Sequence, residues 1–287
     1  MNVGHLDLEV GVLTDPGLVR ENNEDAFGCC PPLAPEVLAQ KGVLYVVADG
    51  MGGYQAGEVA SEIAVREVLE RYYADSSLDI TTALTNAFQG AHRAILQEAQ
   101  RREAPRMGTT IVAAVVRDGQ VVVANVGDSP AYLVRQVGLQ SLYEEHSWVA
   151  MAVERGMIAP EKAREHPNRN VITRNLGMEG LLEVYVSPPM PLQAGDLLLL
   201  GSDGLTNVVL PEEAGKIALA GRTPQGAARA LVDLARERGA PDNVTVLLLR
   251  LGRPASLSPW VVRGLLVVFA LVILGALLAA ALVLWPH

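Results

Sequence analysis

Apolar positions along the chain fall into two kinds of pattern. Val43–Ala48 (VLYVVA) is a short unbroken apolar run that ends in a Gly-rich turn, which predicts a buried strand. Ala56–Tyr73 and Thr81–Ala99 carry apolar residues at helical spacing and predict two helices. Thr109–Val116 and Gln120–Val126 are β-rich, and the Asp118-Gly119 pair between them predicts a tight hairpin. Ala131–Arg135, Asp196–Leu200 and Val244–Leu251 read as further strands, and Pro160–His166 as a short helix. Pro211–Ala220 and Pro224–Arg238 each begin on a proline, which suits the first turn of a helix. Hairpins grouped apart from helix pairs argue for an α+β fold over alternating βαβ units. The stacking of the sheets does not follow from these patterns.

A different pattern appears near the C-terminus. From Gly264 to Trp285 no residue is charged and nearly all are Leu, Val, Ala, Ile or Phe. A bilayer core of about 30 Å takes roughly 20 such residues as a helix. A helix buried in a soluble core normally keeps a polar stripe, and this run has none. It predicts a transmembrane helix at 263–285, bracketed by Trp260 and Trp285, with membrane lipid around 264–285. Arg263 lies just before the run, with Arg250 and Arg253 further back, so the preceding chain is expected on the cytoplasmic side. The stretch RPASLSP at 253–259 reads as a linker. The organisation expected is one folded domain at 1–252, a juxtamembrane linker at 253–262 and a single span at 263–285, at the cytoplasmic membrane. The opening segment MNVGHLDLEVGVLTDPG has no basic or apolar signal region, so no secretory signal is expected.

Charge and rare residues narrow the chemistry. Acids outnumber Lys and Arg 32 to 23, a formal net charge of −9, which disfavours nucleic acid as a partner. The two cysteines, Cys29 and Cys30, are neighbours in sequence and form no disulfide framework, which points to a reducing compartment. His5, His92, His146, His166 and His287 are scattered, at no zinc spacing, and read mostly as surface or capping residues.

Acids recur beside Gly, Ser or Asn where strands are predicted to end. The segments are Arg20-Glu-Asn-Asn-Glu-Asp25, Ala48-Asp-Gly-Met-Gly-Gly53, Gly127-Asp-Ser129, Ser202-Asp-Gly204 and Asp242-Asn243. Singly, each reads as a tight turn. Together they suggest carboxylates aimed at one point, which repel unless cations lie between them. Hard divalent ions such as Mg²⁺ and Mn²⁺ prefer such oxygen ligands.

In order, Arg20-x-x-Asn23-Glu24-Asp25, Asp49-Gly50-Met51-Gly52-Gly53, Gly108-Thr109-Thr110, Gly127-Asp128-Ser129, Ser202-Asp203-Gly204-Leu205 and Asp242-Asn243-Val244 resemble the bacterial branch of the type 2C, metal-dependent (PPM) serine/threonine protein phosphatases. The segment from His166 to Arg174, followed by Leu176-Gly177, resembles it as well, and the likeness runs from about residue 8 to 251. The resemblance implies a four-layer α-β-β-α sandwich of two antiparallel sheets flanked by helices. It implies two divalent ions, Mn²⁺ or Mg²⁺, with Asp49 bridging them, the Gly50 carbonyl a ligand of one of them, Asp203 and Asp242 on the first ion, and Glu24 and Asp25 near the second, partly through water. Asp128 with Asp203 is implied at a third, weaker metal position. Arg20 is implied to grip the substrate phosphate, a task that suits a guanidinium fork, while a surface ion pair stands as the plainer reading of it. The expected reaction is hydrolysis of phosphoserine and phosphothreonine by in-line attack of a hydroxide shared by the two ions, with no phosphoenzyme. Cys29 and Cys30 lie in no C-x5-R pattern, which disfavours a cysteine nucleophile.

Two positions depart from the family. Eukaryotic members carry His two residues after the bridging aspartate, a general acid for the leaving group, where this chain has Met51. That leaves the acid unassigned, with a metal-bound water as the expected source. Pro130 follows the Gly-Asp-Ser motif where Arg is usual, and proline removes a backbone donor. Residues 146–168 fall where the family places a flap. Met151, Gly156 and Met157 suit an adaptable lid, and a plain core helix explains them equally. The expected partners are phosphorylated Ser/Thr proteins, transmembrane Ser/Thr kinases among them. The alternatives are a pseudophosphatase scaffold and an enzyme dedicated to one phosphoprotein of an anti-sigma-antagonist pathway.

Overall fold

Strands covered on both faces read as unbroken apolar runs, because neither face meets water. The computed structural model, which describes residues 2–3, 6–31, 33–52 and 56–252, shows that arrangement in the central strands, while strands such as β3 and β8 are only partly covered. In chain order its elements are β1 (Asn2–Val3), β2 (Leu6–Asp15), β3 (Asp25–Cys29), α1 (Pro35–Lys41), β4 (Val43–Met51), α2 (Ala56–Ala74), α3 (Ile80–Arg101), β5 (Gly108–Arg117), β6 (Gln120–Val126), β7 (Ala131–Arg135), β8 (Gly138–Ser141), α4 (Trp148–Glu154), α5 (Pro160–Ala163), β9 (Tyr185–Val186), β10 (Met190–Pro191), β11 (Leu197–Gly201), α6 (Asp203–Thr206), α7 (Pro211–Ala220), α8 (Pro224–Glu237) and β12 (Val244–Leu251). Gly53 lies outside the described residues, as do the expected linker at 253–262 and span at 263–285. Among the described residues no helix is long and apolar enough to cross a membrane.

One sheet runs β1-β2-β12-β11-β7-β8, the other β10-β6-β5-β4-β3 with β9 also on β6. Every named pairing is antiparallel. Alternate residues of β4 separate into two layers. Tyr45 and Val47 pack with Val112 and Ala114 against Leu198, Leu200, Leu247 and Leu249 of the other sheet. Leu44 and Val46 face the opposite way, onto Tyr72 of α2 and Leu84 and Phe88 of α3. On the far side Leu199 and Leu248 pack against Ala227, Leu231 and Val232 of α8. The result is four layers, helix–sheet–sheet–helix. Each such Leu or Phe contributes about 1.5–3 kcal/mol by leaving water.

Most expected elements stand within a residue or two of their predicted bounds. The Asp118-Gly119 turn is made, with φ of 51° and 72° at the two residues, the left-handed pair that matches strand twist. The short predicted helix at Pro160–His166 stops at Ala163. Pro130 stands just outside β7, where its carbonyl accepts from Gly201 N at 3.1 Å, so the ladder loses no donor. The sequence patterns did not announce β3 or α1, whose burial is partial.

Candidate active site

Antiparallel strands begin and end at the same edge of a sheet, and this edge collects the acids. Asp25 opens β3 and pairs directly with Asp49 near the end of β4. Asp128 follows β6, Asp203 follows β11 and Asp242 precedes β12. The first and second acidic segments are thus joined by the pairing of β3 with β4.

A polar frame holds these acids. Asn243, buried at 4% exposure, accepts from Glu24 N at 2.8 Å and donates to the Pro16 and Asn22 carbonyls at 2.9 Å each. That ties the Arg20–Asp25 loop to the start of β12. The Asn23 amide donates to Thr14 Oγ1 at 2.8 Å, Thr14 meets Thr245 Oγ1 at 2.8 Å, and Thr245 donates to Asp25 Oδ2 at 2.7 Å. Ser202 Oγ donates to the same oxygen at 2.7 Å. Gly50 N donates to the Glu24 carbonyl at 3.1 Å, and a Cβ on Gly50 would come within 2.1 Å of the Gly57 carbonyl. Only glycine lets β4 pass that close to α2.

Asp25 and Asp128 are half-buried as residues, yet Oδ1 of each is sealed from solvent and has no hydrogen-bond partner among the described residues. Desolvation pushes the Asp25 carboxyl up to about 7, the charges of Asp203 and Asp242 adding to it against the two hydroxyl donors. Desolvation likewise raises Asp128 to about 8, with Asp203 its nearest charge. Asp49 is held well above the carboxylate range by desolvation and then by Asp25, Asp203, Asp128 and Asp242. Asp203 is raised by desolvation and by Asp242, and hydrogen-bonds Asp49. Glu24 is raised by desolvation. These groups therefore form one electrostatic cluster. Among the described residues no three His, Cys, Asp or Glu side chains make a ready-made metal-binding group by proximity alone. Hard ions that keep several waters and take one or two carboxylates each do not require one.

Arg20 stands at the rim, its side chain 52% exposed, and donates to Asp242 Oδ2 at 2.7 Å. Arg20, Glu24, Asp49, Gly50, Met51, Asp203 and Asp242 line one cleft, together with Asn170, Ile172 and Asn175 from the segment that returns from the flap region. A neighbouring cavity is lined by Asp128, Asp203, Tyr132, Tyr143, Arg164 and Arg169. So Asp128 and Asp203 share a second compartment, while Asp25 lines a separate depression with Asn23, Phe27, Glu58 and Arg66.

The histidine expectation needs correction. His92 and His146 are buried, at 6% and 4% exposure, and each Nδ1 accepts a backbone N–H, from Gly177 and Gly127, both at 3.1 Å. Desolvation lowers both imidazoles, so they stay neutral acceptors. The flap segment divides: Met151 sits half-buried on α4, whose Val149 and Ala152 are buried, whereas Gly156 (φ 67°) and Met157 (55% exposed) lie beyond the helix. Cys29 is exposed and Cys30 buried, both free. Sequence reasoning missed the cleft role of Asn170, Ile172 and Asn175. The available signal was that Asn170 and Ile172 lie within the His166–Arg174 segment that resembles the family, and Asn175 between it and Leu176-Gly177.

The sequence pattern of the family described as protein phosphatase 2C matches residues 20–234. The serine/threonine phosphatase stp of Listeria innocua is 39% identical over 253 residues, covering 85% of this chain and 98% of that protein. The chain belongs to the protein phosphatase 2C family. The protein phosphatase PhpP of Streptococcus pneumoniae is 32% identical over 250 residues, covering 84% of this chain and 97% of that protein. Among solved structures, the serine/threonine phosphatase PstP of Mycobacterium tuberculosis superposes with a TM-score of 0.74 at 33% identity, over 85% of this chain and 99% of that one. A PstP catalytic domain solved in complex with 2 manganese ions has a TM-score of 0.73 at 30% identity, over 86% of this chain and 99% of that one. This member is accordingly a serine/threonine protein phosphatase of the bacterial branch, and phosphorylated Ser/Thr proteins are its substrate class.

Proposed function

We propose that this phosphatase opposes Ser/Thr kinases at the cytoplasmic face of a membrane, with two divalent ions, Mn²⁺ or Mg²⁺, held by the acidic cluster. The observation that carries the metal reading is the pair of sealed, partnerless oxygens, Asp25 Oδ1 and Asp128 Oδ1, inside a ring of raised carboxylates. Buried carboxylate oxygens without donors are costly unless a cation satisfies them.

Asp49 would bridge the ions. Asp203 and Asp242 would hold one, Glu24 and Asp25 the other, partly through water, and the Gly50 carbonyl would ligate one of the two. Asp128 with Asp203 would serve a third, weaker position in the neighbouring cavity. When bound, the ions supply Lewis acidity that offsets phosphate charge and acidifies water. Arg20 grips the phosphate dianion with its planar fork, since half of its side chain is free of protein contact at the cleft rim. No cysteine competes as nucleophile: Cys29 pairs with Tyr45, four rungs along β3 from the Asp25–Asp49 pair, about 13 Å at ~3.3 Å per residue. That supports attack by water in line with the departing Ser or Thr oxygen, without a phosphoenzyme.

The apolar run at 264–285 supports a single membrane span with the catalytic domain on the cytoplasmic side. A tether raises the effective concentration of membrane partners, which makes transmembrane Ser/Thr kinases candidate substrates. The test is hydrolysis of a phosphothreonine peptide by the full-length protein in detergent, with Mn²⁺ or with EDTA. Activity that needs Mn²⁺ and is lost in Asp49→Asn is expected. Activity unaffected by either change overturns the metal reading. Recovery of the protein in the soluble fraction of lysed cells overturns the span.

A further inference from the structure

We propose that Asn175 is a substrate-contacting residue, whose side-chain amide donates a hydrogen bond to the oxygen of the departing serine or threonine. The proposal rests on the phosphatase reading of the cleft and assigns the leaving-group side that Met51 cannot serve.

The placement is specific. Met51 pairs in register with Gly108 across β4 and β5. The Asn175 side chain lies over Gly108: a Cβ on that glycine would meet Asn175 Oδ1 at 2.8 Å and the Leu176 carbonyl at 2.9 Å. A bare glycine at 108 therefore makes room for the carboxamide beside Met51. With Oδ1 turned to Gly108, Nδ2 is the end turned away from it, and the side chain lines the same cleft as Arg20, Asp49 and Asp203.

The backbone around Asn175 is pinned from both sides. Thr173 N donates to the His146 carbonyl at 2.8 Å, Leu176 and Thr109 exchange two bonds at 2.9 and 3.0 Å, and Gly177 N donates to His92 Nδ1 at 3.1 Å. Arg174 Nη2 meets Glu183 at 2.7 Å. The Asn175 amide itself has no hydrogen-bond partner among the described residues. A half-buried amide held on a rigid segment, unpartnered and facing a reaction cleft, is preorganised to meet charge as it develops. Glu24, Asp49, Asp203 and Asp242, which share the lining, are acceptors when ionised, so Arg20, Asn170 and Asn175 are its side-chain donors when those acids carry charge, and of the two amides Asn175 is the one set over Gly108 beside Met51.

In the step, the bond from phosphorus to the Ser or Thr oxygen breaks as the bond to the water oxygen forms. The water ends as hydroxyl on phosphate, and its other proton ends on the alcohol by way of solvent. Asn175 keeps its own protons and stabilises the leaving oxygen while negative charge is on it. The effect depends on the basicity of the leaving group: a serine or threonine alkoxide needs the donor, and p-nitrophenolate, which departs readily, does not.

The experiment compares full-length wild type with Asn175→Ala and with Asn175→Leu, which keeps the volume and removes the amide, on a phosphothreonine peptide and on p-nitrophenyl phosphate. Both variants should lose roughly 10- to 100-fold in kcat on the peptide, the value of one hydrogen bond to a charged atom. On p-nitrophenyl phosphate both should stay within about threefold of wild type. Melting temperature and the Mn²⁺ binding isotherm should match wild type, which a structural or metal-holding role would not allow. Equal loss on both substrates, or no loss on either, overturns the assignment. Wild type inactive on both would instead overturn the phosphatase reading on which it rests.

Discussion

Replacing Asp25 by Asn should raise the stability of the EDTA-treated protein while weakening its response to metal. The Asp25 carboxyl is pushed from 3.8 to about 7, chiefly by desolvation. At about 1.4 kcal/mol per pKa unit, a rise of about three units corresponds to about 4 kcal/mol of disfavoured charge. Because the folded value lies above the unfolded one, the group's contribution is fullest below pH 3.8 and is lost as pH climbs through about 7. Asn removes the charge and keeps an oxygen for the Ser202 and Thr245 hydroxyls, both now at 2.7 Å. Part of the gain is offset by burial of the new amide, which leaves roughly 2–4 kcal/mol at pH 8. At ~2–4 °C per kcal/mol for a domain of this size, the midpoint should rise by at least about 4 °C. The gain should shrink at pH 5, where wild-type Asp25 is mostly neutral. Adding Mn²⁺ at a hundredfold its Kd should narrow the gap, since it stabilises wild type by about 2.7 kcal/mol and the variant by less. Differential scanning calorimetry at pH 5 and pH 8, with EDTA or Mn²⁺, reads all four arms. If Asp25→Asn melts lower than wild type in EDTA at pH 8, Asp25 is a hydrogen-bonding strut and not a stored charge.

Other perturbations test separate parts of the molecule. Asp49→Asn should reduce kcat on any phosphomonoester by on the order of 10³-fold, about 4 kcal/mol of barrier, with the fold intact by circular dichroism. Arg20→Ala should raise KM for the phosphopeptide by roughly 10-fold or more, and Arg20→Lys should recover only part of it, since one ammonium cannot form the fork. Arg135→Ala leaves the Asp196 carboxylate, 7% exposed and held at 2.8 Å, without its partner. Urea denaturation should show a loss of about 3 kcal/mol, with kcat per folded molecule unchanged. Removal of residues 253–287 should move the protein to the soluble fraction and keep its kcat on p-nitrophenyl phosphate, as assayed in fractionated lysates.

Elements with strong local signatures were legible. Gln120–Val126 and Ala131–Arg135 are strands with the bounds read from the sequence, because both are apolar runs closed by turns. The β3 strand escaped because Asp25–Cys29 is an edge strand with mixed burial, so its composition carries neither period clearly. The clustered acids were legible as motifs, whereas their supports were not. Asn243 and Thr245 act through partners more than 200 residues away, and no local pattern encodes such a bond. The buried histidines were misread for the same reason: His92 on α3 serves Gly177, 85 positions on, and nothing in its helix announces that.

By itself the sequence determined most of the central strands and the long helices, the order of the acidic motifs, the family and the apolar run at 264–285. These follow from short-range properties: periodicity, turn chemistry and residue type. Only the tertiary structure decided that Asp25 faces Asp49, that two carboxylate oxygens are sealed without partners, and that Asn175 stands beside Met51. Those are facts of register and desolvation, set when two sheets and a returning loop close on one edge.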